Sequence, residues 1–404
     1  MTTSDRVYVW AWLPGSTEPV PCGVVVAHDH DRYTFAYGRS WLDRDAFPLY
    51  GLPLRPGPQA DDLALPGALR DALPDAWGQR VVLHRLSGRG GTDADTADLS
   101  LMTYMRESGS DRFGAIDFQD SPDQYLPRAG SASLSDLVEA AEALEAGQPL
   151  HPAVADAFEH GTSVGGARPK VTLSDGDEHW IAKLSSRTDP RPVVRHEALA
   201  LELARRAGVQ TVDSRLDRVL GRDVLLVRRF DRGPGGTRRM AVSALTLLHL
   251  DELFGRYATY PGLLDALRSH PDQVDPGPEL FARVALSIAL GNTDDHARNH
   301  AALWDGQRLR LAPAYDLDPC RPHGWDANQA MAWGRDGQRT SRLPALVEAA
   351  HDYGLCRRAA REVVDHLVAS IHDHWAEACD LARLSQHERE LVWETTILNP
   401  GCHA

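Results

Sequence analysis

Apolar and polar residues alternate along the front of the chain. VYVWAW and PCGVVVAHDHDRYTFAYG keep a period of two, as half-buried strands do, and turns with Pro and Gly such as LPLRPGP punctuate them. The period then lengthens. ALPDAWGQRVVLHRL predicts a helix, the Gly/Asp-rich SGRGGTDADTADLS a loop, LMTYMRE a second helix or turn, and FGAIDF another strand. SASLSDLVEAAEALEAGQPL opens on Ser and Asp, keeps a helical apolar period and ends at Gly147, which predicts a capped amphipathic helix bridging two subdomains.

From 171 to 230 the order is strand (KVTL), turn (SDGDE), strand (HWIAKLS), helix (RHEALALELARRAG), then strands around TVDSRLDRVLG and RDVLLVRRF. This predicts an antiparallel sheet with one inserted helix. After Asp231 helical patterns take over in VSALTLLHLDELFG, YPGLLDALRSH and PELFARVALSIAL, followed by a hairpin (HAALW, turn DGQ, RLRLAP) and helices from about 340 onward. A chain of 404 residues exceeds one ordinary core. The reading is α+β in three parts: a β-rich 1–130, a sheet-bearing 131–230 and a helical 231–404.

Composition adds a soluble, globular character. Hydrophobic residues make up 43% and charged residues 25%, and no unbroken apolar stretch approaches a membrane span. The start, MTTSDRVYVWAWLPG, lacks the basic, apolar and cleavage regions of a signal peptide, so a cytoplasmic chain is expected. Cys22, Cys320, Cys356, Cys379 and Cys402 lie far apart with no C-x-x-C pair, which suits reduced thiols better than a disulfide or zinc framework. The 43 Lys and Arg against 57 Asp and Glu give a formal charge of -14, which opposes general binding to a phosphate backbone. The densest basic run, RRFDRGPGGTRR at 228–239, reads more readily as a solvated loop than as a nucleic-acid site.

The candidate chemistry sits behind PELFARVALSIAL. Gly291 suits the left-handed cap of that helix, so 292–300 are expected to form an ordered loop mounted on a helix end. Asp294 and Asn299 stand five apart, the spacing of the base Asp and metal-binding Asn in a kinase catalytic loop, and a hairpin then leads to Asp316 in AYDLDP. In that order one Asp orients and deprotonates an acceptor hydroxyl, while the Asn and the second Asp hold Mg²⁺. Magnesium takes hard oxygens and keeps several waters, so a carboxylate, an amide oxygen and nucleotide phosphates are a sufficient set.

Upstream, Lys183 in the strand WIAKL suits the holding of phosphates. Glu197 in the next helix either pairs with that lysine or complements the helix dipole. GTSVGGARPK, at 161–170, offers a phosphate two adjacent glycines, the Ser163 hydroxyl and the Lys170 charge, although a glycine turn before a strand is the commoner use of such a stretch. Taken singly, an acidic loop behind a helix is a solvated cap and His296 a surface or packing histidine. The order of the parts raises the kinase reading above those: cradle, strand Lys, helix Glu, long helix, D-x-x-x-x-N, hairpin, Asp.

SVGGARPK, WIAKL, LLVRRFDR, GNTDDHARN and AYDLDP together resemble the HipA family of serine/threonine kinases, the toxin halves of bacterial HipBA-type toxin–antitoxin pairs. LPLRPGP and PDAWGQR resemble that family's N-terminal subdomain, so the likeness spans the chain. It implies a two-lobed, protein-kinase-like (HipA-like) α+β fold: an extra N-terminal subdomain, a β-rich N-terminal lobe and a helical C-terminal lobe. Carried over, Asp294 would be catalytic, Asn299 and Asp316 metal ligands, and Lys183 a phosphate ligand. Val164, Gly165, Gly166, Ala167, Arg168 and Lys170 would form the ATP-contacting loop. Ser163 falls where the family autophosphorylates, a modification that ejects the loop and switches the kinase off. His296 and Tyr315 take nucleotide-proximal positions.

Arg228, Arg229 and Phe230 stand at the hinge, where adenine contacts are partly main-chain; Arg228 departs from the glutamate expected there, and no A-P-E-type segment follows. The cofactors implied are ATP and Mg²⁺. The partners implied are a small helix-turn-helix, HipB-like antitoxin, through which DNA would mainly be contacted, and a protein substrate such as an aminoacyl-tRNA synthetase. Two rival readings stand beside this one. A metal-dependent phosphohydrolase would gather Asp294, Asp295, His296 and Asp316 around a metal pair and release phosphate without an acceptor. A non-catalytic corepressor would only dock the antitoxin, and autophosphorylation would exclude it.

Overall fold

The computed structural model describes residues 5–29, 31–44, 47–59, 64–87, 95–128, 133–145, 169–186, 189–320, 324 and 326–404. Ser163, Val164, Gly165, Gly166, Ala167, Arg168 and the expected helix end at Gly147 lie outside the described residues.

The period-two front of the chain forms a sheet. β1 (Arg6–Trp12), β2 (Pro19–His28), β3 (Arg32–Tyr37) and β4 (Ile116–Gln119) lie in the order β3-β2-β1-β4, with antiparallel pairing throughout. Val7, Val9, Val25 and Phe35 are fully buried in it. Gly23 is required on β2, because a Cβ there would meet the Ala36 carbonyl oxygen at 2.4 Å and the Phe35 ring at 2.6 Å.

A second sheet follows the predicted order. β5 (Lys170–Asp175), β6 (Glu178–Leu184), β7 (Ser214–Val219) and β8 (Arg222–Arg228) lie as β5-β6-β8-β7, and β6 is antiparallel to both neighbours. Alternation on β6 buries Trp180, Ala182 and Leu184 and leaves Lys183 half-buried on the other face. The buried face packs with Trp77 and Val81 of the helix Ala76–Ser87 and with Leu137, Val138 and Ala141 of the helix Leu134–Glu145. The helix Leu134–Glu145 thus joins the first subdomain to the second sheet, as its amphipathic pattern predicts. Each large apolar side chain buried there stabilises the joint by roughly 1.5–3 kcal/mol.

The chain divides into two compact units, each discontinuous in sequence. One comprises Met1–Arg187, Asp217–Val242 and Leu303–Gln307; the other Thr188–Leu216, Ser243–Ala302 and Arg308–Ala404. The helix Val193–Arg206, expected within 131–230, belongs to the second unit, because it packs along the helix Arg357–Leu381. Arg195 adds a two-pronged ion pair to Glu388, at 2.5 and 3.0 Å, and Arg206 pairs with Glu377.

At the centre of the second unit lies the helix Gly277–Leu290. Leu280, Phe281, Val284, Ala285, Ile288 and Leu290 are all fully buried, and a helix apolar on every side must be enclosed. VSALTLLHLDELFG departs from the continuous helix its pattern suggests. A single turn, Ala244–Leu247, ends before His249, whose φ is 54°, and the Asp251 side chain caps a fresh 3₁₀ segment, Glu252–Tyr257. A left-handed residue ends an α-helix, and a capping carboxylate starts the next turn. Among the described residues the five cysteines are free thiols, and no helix is long and apolar enough to cross a membrane.

Candidate active site

The loop grows from the end of the central helix. Gly291 takes the left-handed conformation, φ 68° and ψ 27°, and the Asn292 N–H returns to the Ser287 carbonyl at 2.8 Å, so the helix stops where the sequence predicts. Beyond it the side chains alternate. Asp294 and His296 face solvent, whereas Asp295 and Ala297 are buried. The Ala297–Asn299 3₁₀ turn then brings Asn299 back: its Nδ2 donates to the Asp294 carbonyl at 3.3 Å, and the His296 N–H donates to the same carbonyl at 2.9 Å. With the amide nitrogen held, the hard Oδ1 is the end left for a cation.

Asp316 is delivered by the segment after the hairpin Ala301–Trp304 and Leu309–Leu311. The Tyr315 hydroxyl donates to the Arg298 carbonyl at 2.9 Å, which fastens this segment to the loop. Asp316 itself has φ 59°, a conformation that costs energy for a residue with a Cβ and is found where surrounding structure enforces it. Two residues on, Asp318 accepts both prongs of Arg191, at 2.7 and 2.5 Å. Arg191 also approaches His196 Nδ1 at 3.3 Å, and burial with that positive charge pushes the His196 pKa down to about 4.

The electrostatics separate the two adjacent acids. Although Asp294 reaches solvent, the protein around it withholds enough water to raise its pKa; Asp316, Asp318 and Asp295 raise it further and His296 opposes them. Asp295 is 2% exposed, and its burial alone would raise its pKa. Its partners reverse that. The Tyr260 hydroxyl and Ser287 Oγ (3.0 Å) both donate to Oδ2, His300 Nε2 lies 3.0 Å from Oδ1, and the net shift is downward.

Carboxylates that raise one another's pKa favour a cation among them. Among the described residues no three His, Cys, Asp or Glu side chains form a metal cluster. The Asn299 amide oxygen and the Asp294 and Asp316 carboxylates are hard oxygen donors, the type that magnesium takes.

The other predicted residues are placed as follows. Lys183 lies on the half-buried face of β6 in the first unit, and Glu197 is buried in the helix Val193–Arg206 of the second. Lys170 corrects the expectation of a charge offered to phosphate: it is buried, with Nζ 3.0 Å from Asp75 Oδ2. Arg228 is exposed at the end of β8, 3.5 Å from Glu178. Arg229 needs a second correction. Its guanidinium is buried on Asp231 (2.9 and 2.8 Å), the Arg112 carbonyl (2.6 Å) and Asp111 (2.9 Å), so the side chain is already engaged. Phe230 is half-buried, with its ring edge-on to Phe113 at 6.0 Å.

Sequence reasoning passed over Asp75, Asp318 and the Tyr260–Ser287–His300 set. Asp75 carried a local signal, since it precedes a helical run and accepts from the Gly78 N–H at 2.7 Å as a cap. Nothing local marks the others.

Comparisons with known families and structures cover most of the chain. A family model described as the HipA-like C-terminal domain matches residues 162–375, and one described as the HipA N-terminal domain matches 16–119. "Putative kinase Y4mE" of Sinorhizobium fredii is 25% identical across 92% of this chain and 91% of its own length. A chain from the Shewanella oneidensis MR-1 toxin–antitoxin complex of HipA, HipB and operator DNA shares the fold, with a TM-score of 0.70 at 17% identity; the match covers 96% of this chain and 94% of that one.

Proposed function

The chain belongs to the HipA family, and from that premise we propose that it is a HipA-type toxin: an Mg-ATP-dependent serine/threonine protein kinase. Its substrate is a component of translation, of the aminoacyl-tRNA synthetase class, and it also phosphorylates its own Ser163. The reading rests on one observation. Asp294, Asn299 and the Asp316 segment are tied together within one unit, through the Asn299 amide on the Asp294 carbonyl and Tyr315 on the Arg298 carbonyl.

The chemistry follows from these groups. Asp294, open to solvent and raised in pKa, accepts the proton of the acceptor hydroxyl as its oxygen bonds to the γ-phosphorus and the bond to ADP breaks. Asn299 and Asp316 would hold Mg²⁺, which when bound offsets the charge of the phosphoryl group. Lys183 holds phosphate oxygens, with Glu197 as its candidate partner, and the main chain at 228–230 takes the base. His296 and Tyr315 lie toward the nucleotide. Catalysis is then mostly positioning and charge neutralisation.

A HipB-like helix-turn-helix antitoxin is the proposed partner. The structural relative was solved with HipB and operator DNA, and the net charge of -14 on this chain leaves DNA contact to such a partner. The phosphohydrolase alternative needs Asp295 on a metal, yet that carboxylate is turned inward on Tyr260, Ser287 and His300.

The test is incubation of the protein with γ-labelled ATP and a cell lysate. The wild type should label a translation protein and, by phosphopeptide mapping, Ser163. Asp294→Asn should still bind ATP and transfer nothing; transfer by that variant removes Asp294 from the mechanism.

A further inference from the structure

Asp295 touches none of the reacting groups assigned above, yet three buried partners converge on it. Tyr260 stands at the start of the helix Tyr260–Ser269, Ser287 in the last turn of the helix Gly277–Leu290, and His300 just after the 3₁₀ turn. All three are at most 4% exposed. The set is continued on both sides: Asn292 Nδ2 approaches Ser287 Oγ at 3.4 Å, the Tyr260 and His300 rings meet edge-on at 5.3 Å, and the Ala244 N–H donates to the His300 carbonyl at 2.8 Å. A carboxylate sealed this deeply is tolerated only when it is paired and hydrogen-bonded, so its position is strongly specified.

That specification passes to its neighbours through the backbone. Asp294 and His296 are exposed on either side of the buried Asp295, and the His296 N–H closes on the Asp294 carbonyl at 2.9 Å, so the three residues form one tight turn. Holding Asp295 inward therefore holds Asp294 and His296 outward. It also fixes the Asp294 carbonyl, the acceptor that orients the Asn299 amide.

We propose that Asp295 is a positioning residue for phosphotransfer: the Tyr260–Ser287–His300 socket grips it, and its grip sets the facing of Asp294 and the aim of Asn299. The inference rests on the kinase reading, and it assigns the second acid of the DDH triplet a mechanical role rather than a ligand role.

The test compares full-length wild type, Asp295→Ala, Asp295→Asn and Tyr260→Phe. For each, kcat and the KM for Mg-ATP are measured, together with amide hydrogen exchange over 291–300. Asparagine keeps the shape and accepts from Tyr260 and Ser287, so it serves as the conservative rescue. Asp295→Ala should lower kcat by roughly 10²-fold, the loss that a misplacement of about 1 Å carries. The KM for Mg-ATP should move by less than about threefold, since nucleotide binding is not what is lost. Asp295→Asn should recover most of kcat. Exchange should quicken over 291–300 in Asp295→Ala and Tyr260→Phe while β8 is unchanged.

If Asp295→Ala does not fold, Tyr260→Phe decides, by lower kcat with faster loop exchange. Unchanged kcat in the variants, or a kcat loss matched by a rising KM and faster exchange throughout the chain, overturns the proposal. The two readings fail separately. A wild type without phosphotransfer defeats the kinase reading, whereas loop exchange that ignores these substitutions defeats the positioning role whatever the activity.

Discussion

Lys170 and Asp75 form a buried ion pair, 3.0 Å apart, between the first residue of β5 and the residue that caps the helix Ala76–Ser87. Both side chains are nearly sealed from water. Removing one partner leaves an uncompensated buried charge, which costs about 3–5 kcal/mol, whereas replacing both with apolar groups of similar size is often neutral. Asp75→Ala should therefore lower the urea midpoint sharply, and Asp75→Leu combined with Lys170→Met should restore most of it. Equal midpoints for wild type and Asp75→Ala would remove the pair from the stability of this joint.

Asn299 holds its Nδ2 on the Asp294 carbonyl, so substitution removes both the candidate metal oxygen and a brace of the loop. Asn299→Ala should reduce phosphotransfer by about 10²-fold or more, consistent with loss of a group that stabilises transition-state charge. Raising the magnesium concentration should recover part of the rate, because the weakened site binds the ion less tightly. A magnesium titration of the initial rate reads both effects; a variant with wild-type rate and magnesium dependence shows that Asn299 is no ligand.

His196 has its pKa pushed down to about 4 from an ordinary 6.5 by burial and by Arg191. Between those values the unfolded chain carries the proton and the folded chain does not. Stability should therefore fall as pH drops through that window, by up to about 3 kcal/mol in total, and be fully present above it. Denaturation midpoints of wild type and His196→Gln between pH 7 and 4.5 provide the measurement. The variant should show the shallower loss; parallel curves would exclude His196 as the cause.

Much of the layout is legible in the letters because it is local. Period-two alternation marked β1, β2 and β3 of the first sheet, and Gly291 marked the end of the central helix because a left-handed cap favours glycine. The spacing of Asp294, Asn299 and Asp316 survives because loop and hairpin are short and mounted on rigid elements. What was not legible depends on partners distant in sequence. Lys170 reads as a free charge until Asp75 is placed beside it, and the Arg229 guanidinium looks available until Asp111 and Asp231 close on it. Asp294 and Asp295 are chemically identical side by side. Only the socket formed by Tyr260, Ser287 and His300 decides which of them is turned inward.

The assembly of each unit from three separate stretches constrains how this chain can be dismantled or recombined. A fragment ended at 242 would carry the helix Val193–Arg206 stripped of Arg357–Leu381, and the complementary fragment would present the bare flank of that long helix to water. Scission at 242 thus orphans apolar surface on both products. Viable hybrids between relatives would require all stretches of a unit to be exchanged together, so crossovers inside the chain should be selected against even where no catalytic residue is touched.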